Sequence, residues 1–328
     1  MRNRERIVNT LNFKSFDRVP VVEWAPWWEK TTDRWKTEGL PEKLVHDWEI
    51  RDYFGLDRLN QCWIKSKKET FKYAPESKPT VRTLEEYRKI KEHLFPEEPF
   101  DARLIESWAK EQKKGGLAVW ITFEGYFWSP RTLLGIEEHL CAFYDNQETM
   151  NEINNDLLNF HKRALKQFLN ICQPDFMTFA EDMSYNKGPM ISEEMFNEFI
   201  APFYRQIVPE LKKNNIITIV DTDGNIEKLV PWFLNTGVDG FLPLEKQAGV
   251  DIVSLRKKHP KVTFLGGFDK MVMHLGEKKL REEFERILPV MKQGGYIPGV
   301  DHQTPPAVSF EDYKLYLRLL NEYCRKAV

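Results

Sequence analysis

Short apolar runs, rich in β-branched and aromatic residues, recur along this chain, and each one ends in polar residues. Eight can be read: Val19 to Trp24, Arg58 to Ile64, Leu117 to Phe123, Phe176 to Ala180, Ile216 to Val220, Gly240 to Leu244, Val262 to Gly266 and Tyr296 to Pro298. Longer segments of helical period lie between them, which predicts strands alternating with helices. Runs apolar throughout predict strands buried on both faces, as in a parallel sheet. Among the helices, the segment from Ser192 can be capped by that serine and repeats Met195, Phe196, Phe199 and Ile200 at helical spacing. Leu280 to Met291 predicts another. The pattern predicts α/β class and a single (β/α)8 TIM-barrel domain over residues 1–328. The intervals Trp24 to Arg58 and Ile64 to Leu117 are long for single crossovers, so N-terminal helical and loop extensions are expected there. No internal repeat divides the chain, and Pro96-Glu-Glu-Pro99 reads as a loop.

A barrel of this class carries its active site at the C-terminal ends of its strands. The residues just after the predicted runs are Glu124, Glu181 with Asp182, Asp221 with Asp223, Glu245, Asp269, and Asp301 with His302. Any one of these can be a loop charge or a helix cap; the set as a whole points to a site. Asp221 and Asp223 alternate along an extended segment, so both carboxylates can approach one metal ion. The competing reading has Asp223 capping a helix near Asn225 while Asp221 pairs with a buried cation. His302 can add a nitrogen ligand or act as an acid or base near neutral pH. Trp24, Trp27, Trp28 and Trp35 crowd the segment after the first run. They predict an apolar pocket for a flat or methylated substrate, or the packing of an N-terminal cover over the barrel. The glycines at the strand ends match no GxGxxG or Walker pattern, which gives nucleotide binding little support.

Formal net charge is −2 and the sequence pI is about 6.4. No global field therefore draws the chain to nucleic acid or to an anionic membrane. The four cysteines, Cys62, Cys141, Cys172 and Cys324, are far apart and form no CxxC pair, so neither a zinc ribbon nor a disulfide framework is indicated. Together with an N-terminus lacking an apolar h-region and the absence of a membrane-length apolar run, this leads us to expect a cytoplasmic protein.

Several strand-end motifs resemble the uroporphyrinogen decarboxylase superfamily, which also contains cobalamin-dependent methyltransferases. They are Phe16-Asp-Arg-Val-Pro20, Gly135-Ile-Glu137, Thr236-Gly-Val-Asp-Gly240, Leu265-Gly-Gly-Phe-Asp269, Gly294-Gly-Tyr-Ile-Pro-Gly-Val-Asp-His302 and Phe310-Glu-Asp-Tyr313. The resemblance covers most of the chain and implies a (β/α)8 barrel. In the decarboxylases, paired arginines after the first strand hold the acidic side chains of the porphyrinogen; here Pro20-Val-Val-Glu-Trp-Ala-Pro-Trp-Trp-Glu29 contains none, and Glu23 and Glu29 would repel it. In the methyltransferases, a His-x-Cys-Gly after the fifth strand and a later Cys bind zinc. Asp221-Thr-Asp-Gly224 occupies the first place, His302 falls near the second, and Glu245 corresponds to a family acid.

The resemblance thus implies a harder metal site of Asp221, Asp223 and His302, suited to zinc or manganese. Glu181, Glu245 and His302 are the expected catalytic groups, and Trp24, Trp27, Trp28, Glu124, Asp182 and Asp269 the expected substrate contacts. The leading expectation is a methyltransferase or demethylase that passes a methyl group from a small methylated compound to a corrinoid carried by a partner protein. The alternatives are a cofactor-free decarboxylase of uroporphyrinogen type and a catalytically silent ligand-binding barrel. A homodimer is an open expectation.

Overall fold

The computed structural model describes residues 1–74 and 79–328. Seven strands form one parallel sheet: β1 (Leu59–Trp63), β2 (Ala118–Glu124), β3 (Phe176–Ala180), β6 (Ile217–Asp221), β7 (Gly240–Leu242), β8 (Thr263–Phe268) and β9 (Tyr296–Val300), hydrogen-bonded in that order. A two-residue hairpin, β4 (Ser184–Tyr185) with β5 (Gly188–Pro189), is inserted after β3. Helices connect the strands, and the sheet curls so that its two faces carry separate cores. Side-chain alternation explains this division. Val119, Ile121 and Phe123 of β2, Phe179 of β3 and Val220 of β6 pack under the helices. Trp120, Phe176, Ile219, Leu242, Leu265 and Ile297 turn the other way and meet inside the curl. Both faces are thus apolar, as the continuous runs in the sequence require.

The helix Asn3–Leu11 stops the N-terminal end of the curl. Its Ile7 and Leu11, one turn apart, join the interior cluster, and Gly295 N–H donates to Thr10 O at 2.7 Å. Below it Arg18 and Arg6 bind Asp57 at 2.6 and 3.3 Å, and Arg6 also binds Asp17 at 2.8 Å. The opposite end, where the strands point their C-termini, stays open for chemistry.

Seven of the eight predicted strands form. Val19 to Trp24 corrects the expectation: it is buried between the edge strands β9 and β1 but makes no ladder with either. Pro20 has no N–H to give. The remaining contacts are single bonds, Val19 N–H to Cys324 O at 3.1 Å and Asp57 N–H to Val21 O at 2.8 Å. On the β9 side Trp24 uses its indole instead, donating Nε1–H to Val300 O at 2.7 Å. A seam therefore runs beside β1.

The expected additional helices are present. The helices Glu29–Thr37 and Asp47–Tyr53 fill the first long interval, and Leu84–Ile90 and Ala102–Lys113 the second. Ser192 caps as predicted, accepting from Met195 N–H at 3.3 Å, although the helix it starts widens into a π-turn over Phe196–Ile200 before continuing as Ala201–Lys213. No helix among the described residues is long and apolar enough to cross a membrane.

Candidate active site

Parallel register places Glu124, Ala180, Asp221 and Leu242 on one level at the C-terminal rim. Asp221 follows Ile217 and Ile219 at period two, so its carboxylate faces the interior of the curl. One level below, Thr122 and Thr178 join hydroxyls at 2.8 Å, and Trp120 Nε1–H donates to Thr178 at 2.8 Å. These bonds satisfy the buried polar groups beneath Asp221 and leave its own oxygens without that partner. Burial first, then the neighbouring Asp223 and Asp182, raises the Asp221 carboxyl well above the ordinary range.

Above Asp221 lies a cavity of about 330 Å³ whose walls include Trp24, Trp63, Trp128, Asp182, Asp223 and His302. None of its described lining residues is a lysine or arginine. A larger cleft of about 960 Å³ follows the seam along β1 and shares Trp24, Pro26, Trp63 and Asp221 with the first cavity. Asp221 therefore stands at a junction.

Asp223, Glu245 and His302 form a second centre beside it. One ligand atom from each lies within 4.8 Å of the others. The loop after β6 is held in place by the hairpin: Asn225 N–H donates to Tyr185 O at 2.9 Å, and a side chain at Gly224 would meet the Tyr185 backbone at 2.7 Å. Gly224 N–H in turn orients Glu245, at 2.9 Å. His302 Nε2 lies 3.5 Å from Asp223, and this partner raises its pKa above the ordinary value despite burial. Two carboxylate oxygens and one imidazole nitrogen fit a divalent ion of borderline or hard character. Asp221, expected in this set, lies outside it. A competing cation stands close by, since Lys270 Nζ is 3.7 Å from Glu245 and 3.5 Å from Asp301. Asp301 itself is fully buried and ties two loops, accepting from Lys246 N–H at 2.8 Å and Lys270 N–H at 3.1 Å.

The remaining expected residues divide. Glu181 is buried, and its carboxylate accepts from the backbone N–H groups of Tyr126 (2.9 Å), Phe127 (2.8 Å) and Trp128 (3.1 Å) as well as the Tyr204 hydroxyl. It holds the start of the helix Trp128–Leu134, and with it the Trp128 wall, in place. Glu124 pairs with Lys67 at 2.6 Å instead of facing the cavity unpaired. Asp182 lines the cavity, with a positive φ of 47° and a carboxyl raised by burial and by Asp223. Asp269 caps a short turn, accepting from Met271 N–H at 2.9 Å and from Gln247 at 2.7 Å. Trp24 lines both cavities. Trp27 is packed edge-on against Trp35 and Tyr313, and Trp28 is exposed at the start of a helix; neither lines either cavity. Two walls escaped the sequence reading, Trp63 and Trp128. The signal was available for Trp63, the last residue of β1, whereas Trp128 is brought in by the turn that Glu181 holds.

A curled parallel α/β sheet with acids, histidine and tryptophans at its strand C-termini defines the class of the protein. The chain belongs to the uroporphyrinogen decarboxylase (URO-D) family, whose pattern matches residues 74–323. No curated protein matches it. Among solved structures it is similar to a methyltransferase from Methanosarcina mazei, with a TM-score of 0.66 and 13% identity, covering 98% of this chain and 99% of that one. A more distant likeness, at a TM-score of 0.47 and 11% identity, is to a candidate vitamin-B12 independent methionine synthase from Listeria monocytogenes; it covers 95% of this chain and 97% of that one.

Proposed function

We propose that this family member is a methyltransferase or demethylase that takes a methyl group from a small methylated compound and delivers it to a corrinoid held by a partner protein. The observation that carries the reading is the cavity itself: three tryptophans wall it, and its charged lining is acidic apart from His302. A polycarboxylate such as a porphyrinogen would meet repulsion in this cavity, whose described wall holds no lysine or arginine; Arg51, Arg58, Lys110 and Lys114 line the adjoining cleft instead. A compact apolar methyl group is well suited to it.

In this reading Trp24, Trp63 and Trp128 hold the methylated group and exclude water. Asp221 orients it from below. His302, with its proton held against Asp223, stands at the rim where it can protonate a leaving heteroatom. A corrinoid brought by its partner protein would supply the nucleophile for the methyl group. Asp223, Glu245 and His302 are also the residues that would hold zinc or manganese; with such an ion bound, its Lewis acidity at the rim would take the place of the His302 proton.

The test incubates the purified protein with a reduced corrinoid carrier and a panel of methoxylated and N-methylated compounds, following the absorbance change of corrinoid methylation. Methylation with at least one compound, lost on Trp63→Ala, is the expected result. No methylation with any compound, together with release of carboxyl groups from a porphyrinogen, would replace this reading by decarboxylation.

A further inference from the structure

We infer that the group held at Asp221 is a cation, and that the substrate is an N-methylated ammonium compound whose body lies in the cleft along β1. This rests on the methyl-transfer reading for its chemistry but on separate observations for its charge. The cavity combines two features that select the same ligand. Trp24, Trp63 and Trp128 present indole rings around a small space, and Asp182, Asp221 and Asp223 place carboxylates on its floor and rim. An ammonium carrying methyl groups has an apolar shell over a positive charge, so it gains from both aromatic faces and acids. A methoxy compound of the same size gains only from the rings. It would bring no charge to Asp221, which no described hydrogen-bond donor faces.

The carboxylates differ in what already satisfies them. Glu181 is fully occupied by backbone N–H groups, Glu124 by Lys67 and Asp301 by two backbone N–H groups. Asp223 faces His302 at 3.5 Å. Asp221 has no such partner among the described residues; the charged groups acting on it are Asp223, Asp182 and His302. Asp182 accepts from Asp223 N–H at 3.4 Å, so of the cavity's acids Asp221 is the one with no described donor opposite it. A metal at Asp223, Glu245 and His302 would not use it, because it lies outside that group.

The cleft determines what else the ligand carries. It joins the cavity at Trp24, Pro26, Trp63 and Asp221, and continues past Leu59, Trp48, Trp108 and Trp120. It exists because Val19 to Trp24 makes no ladder with β1, so the wall of the curl is open on that side. A ligand whose ammonium rests at Asp221 can therefore extend a flat or apolar body sideways through the seam, while its methyl groups face the mouth at the strand ends.

The experiment is calorimetric binding to the full chain without any corrinoid, so it is independent of turnover. Choline is compared with 3,3-dimethylbutan-1-ol, in which carbon replaces the charged nitrogen at nearly the same shape. The cation is expected to bind at least about tenfold tighter. Asp221→Asn should abolish that preference without lowering the melting temperature, since no hydrogen bond is lost, and Trp63→Ala should weaken the cation alone. Benzyltrimethylammonium should bind more tightly than tetramethylammonium, with the gain lost in Trp108→Ala. Equal binding of choline and its neutral isostere, or no binding of either at millimolar concentration, overturns the charge assignment; equal binding of the two ammonium ions overturns the placement of the body. Cation preference without corrinoid methylation would leave this inference standing and remove the methyl-transfer reading.

Discussion

The Nε2 of His302 and the Oδ2 of Asp223 lie 3.5 Å apart, on loops that follow two strands separated in the sheet by β7 and β8. Asp223 is the largest cause of the raised His302 pKa. A histidine raised in the folded state adds stability that is complete below its unfolded pKa of about 6.5 and is lost as pH rises through its folded value. In chelator-treated protein, Asp223→Asn should therefore move the His302 titration, followed by NMR, to lower pH and remove that contribution. An unchanged midpoint would show that the pair does not act on the proton.

Glu181 should matter to stability more than to proton transfer. Replacing it with Ala strands three buried backbone N–H groups and the Tyr204 hydroxyl, and should cost about 3 kcal/mol or more in urea unfolding. Tyr204→Phe removes one neutral donor and should cost about 1 kcal/mol. A Glu181→Ala variant of full stability would refute the anchoring role.

Glu23 sets a pH dependence of its own. Burial lifts its carboxyl to about 8, while Arg51 and the Tyr313 hydroxyl oppose the rise. The folded state then holds a proton that the unfolded chain loses near pH 4.5. Stability from this group is full below about 4.5 and falls as pH rises through about 8. Glu181, raised to about 7 by burial, adds a slope of the same sign. Glu23→Gln should flatten the melting temperature between pH 5 and 9 on the order of a few degrees at the alkaline end. An identical pH profile in the variant would place the slope elsewhere.

A divalent ion at Asp223, Glu245 and His302 must displace the influence of Lys270, whose ammonium lies 3.7 Å from Glu245. After dialysis against zinc or manganese, elemental analysis should find about one ion per chain. Affinity should drop about tenfold or more in Glu245→Gln and rise in Lys270→Met. Equal metal content in Glu245→Gln and the parent would exclude the trio as ligands.

The strands were legible because a strand buried on both faces must be apolar throughout, and seven of the eight runs do form the sheet. Val19 to Trp24 carries the same composition yet forms none, since Pro20 and the side-chain bond of Trp24 redirect its pairing. The strand-end acids were equally legible as a group. Their separate fates were not: Glu124, Glu181 and Asp221 look alike in sequence, and what distinguishes them is whether Lys67, three backbone N–H groups or nothing stands opposite.

By itself, then, the order of apolar runs and polar ends determined the parallel α/β architecture and the end of the sheet that carries the candidate site. Those properties follow from local periodicity and from which residues terminate a strand. Only the tertiary structure decided that Glu245 rather than Asp221 joins Asp223 and His302, that Trp63 and Trp128 rather than Trp27 and Trp28 wall the cavity, and that the curl is open beside β1. Such groupings depend on register, curvature and hydrogen-bond partners brought together from distant parts of the chain, and no local pattern records them.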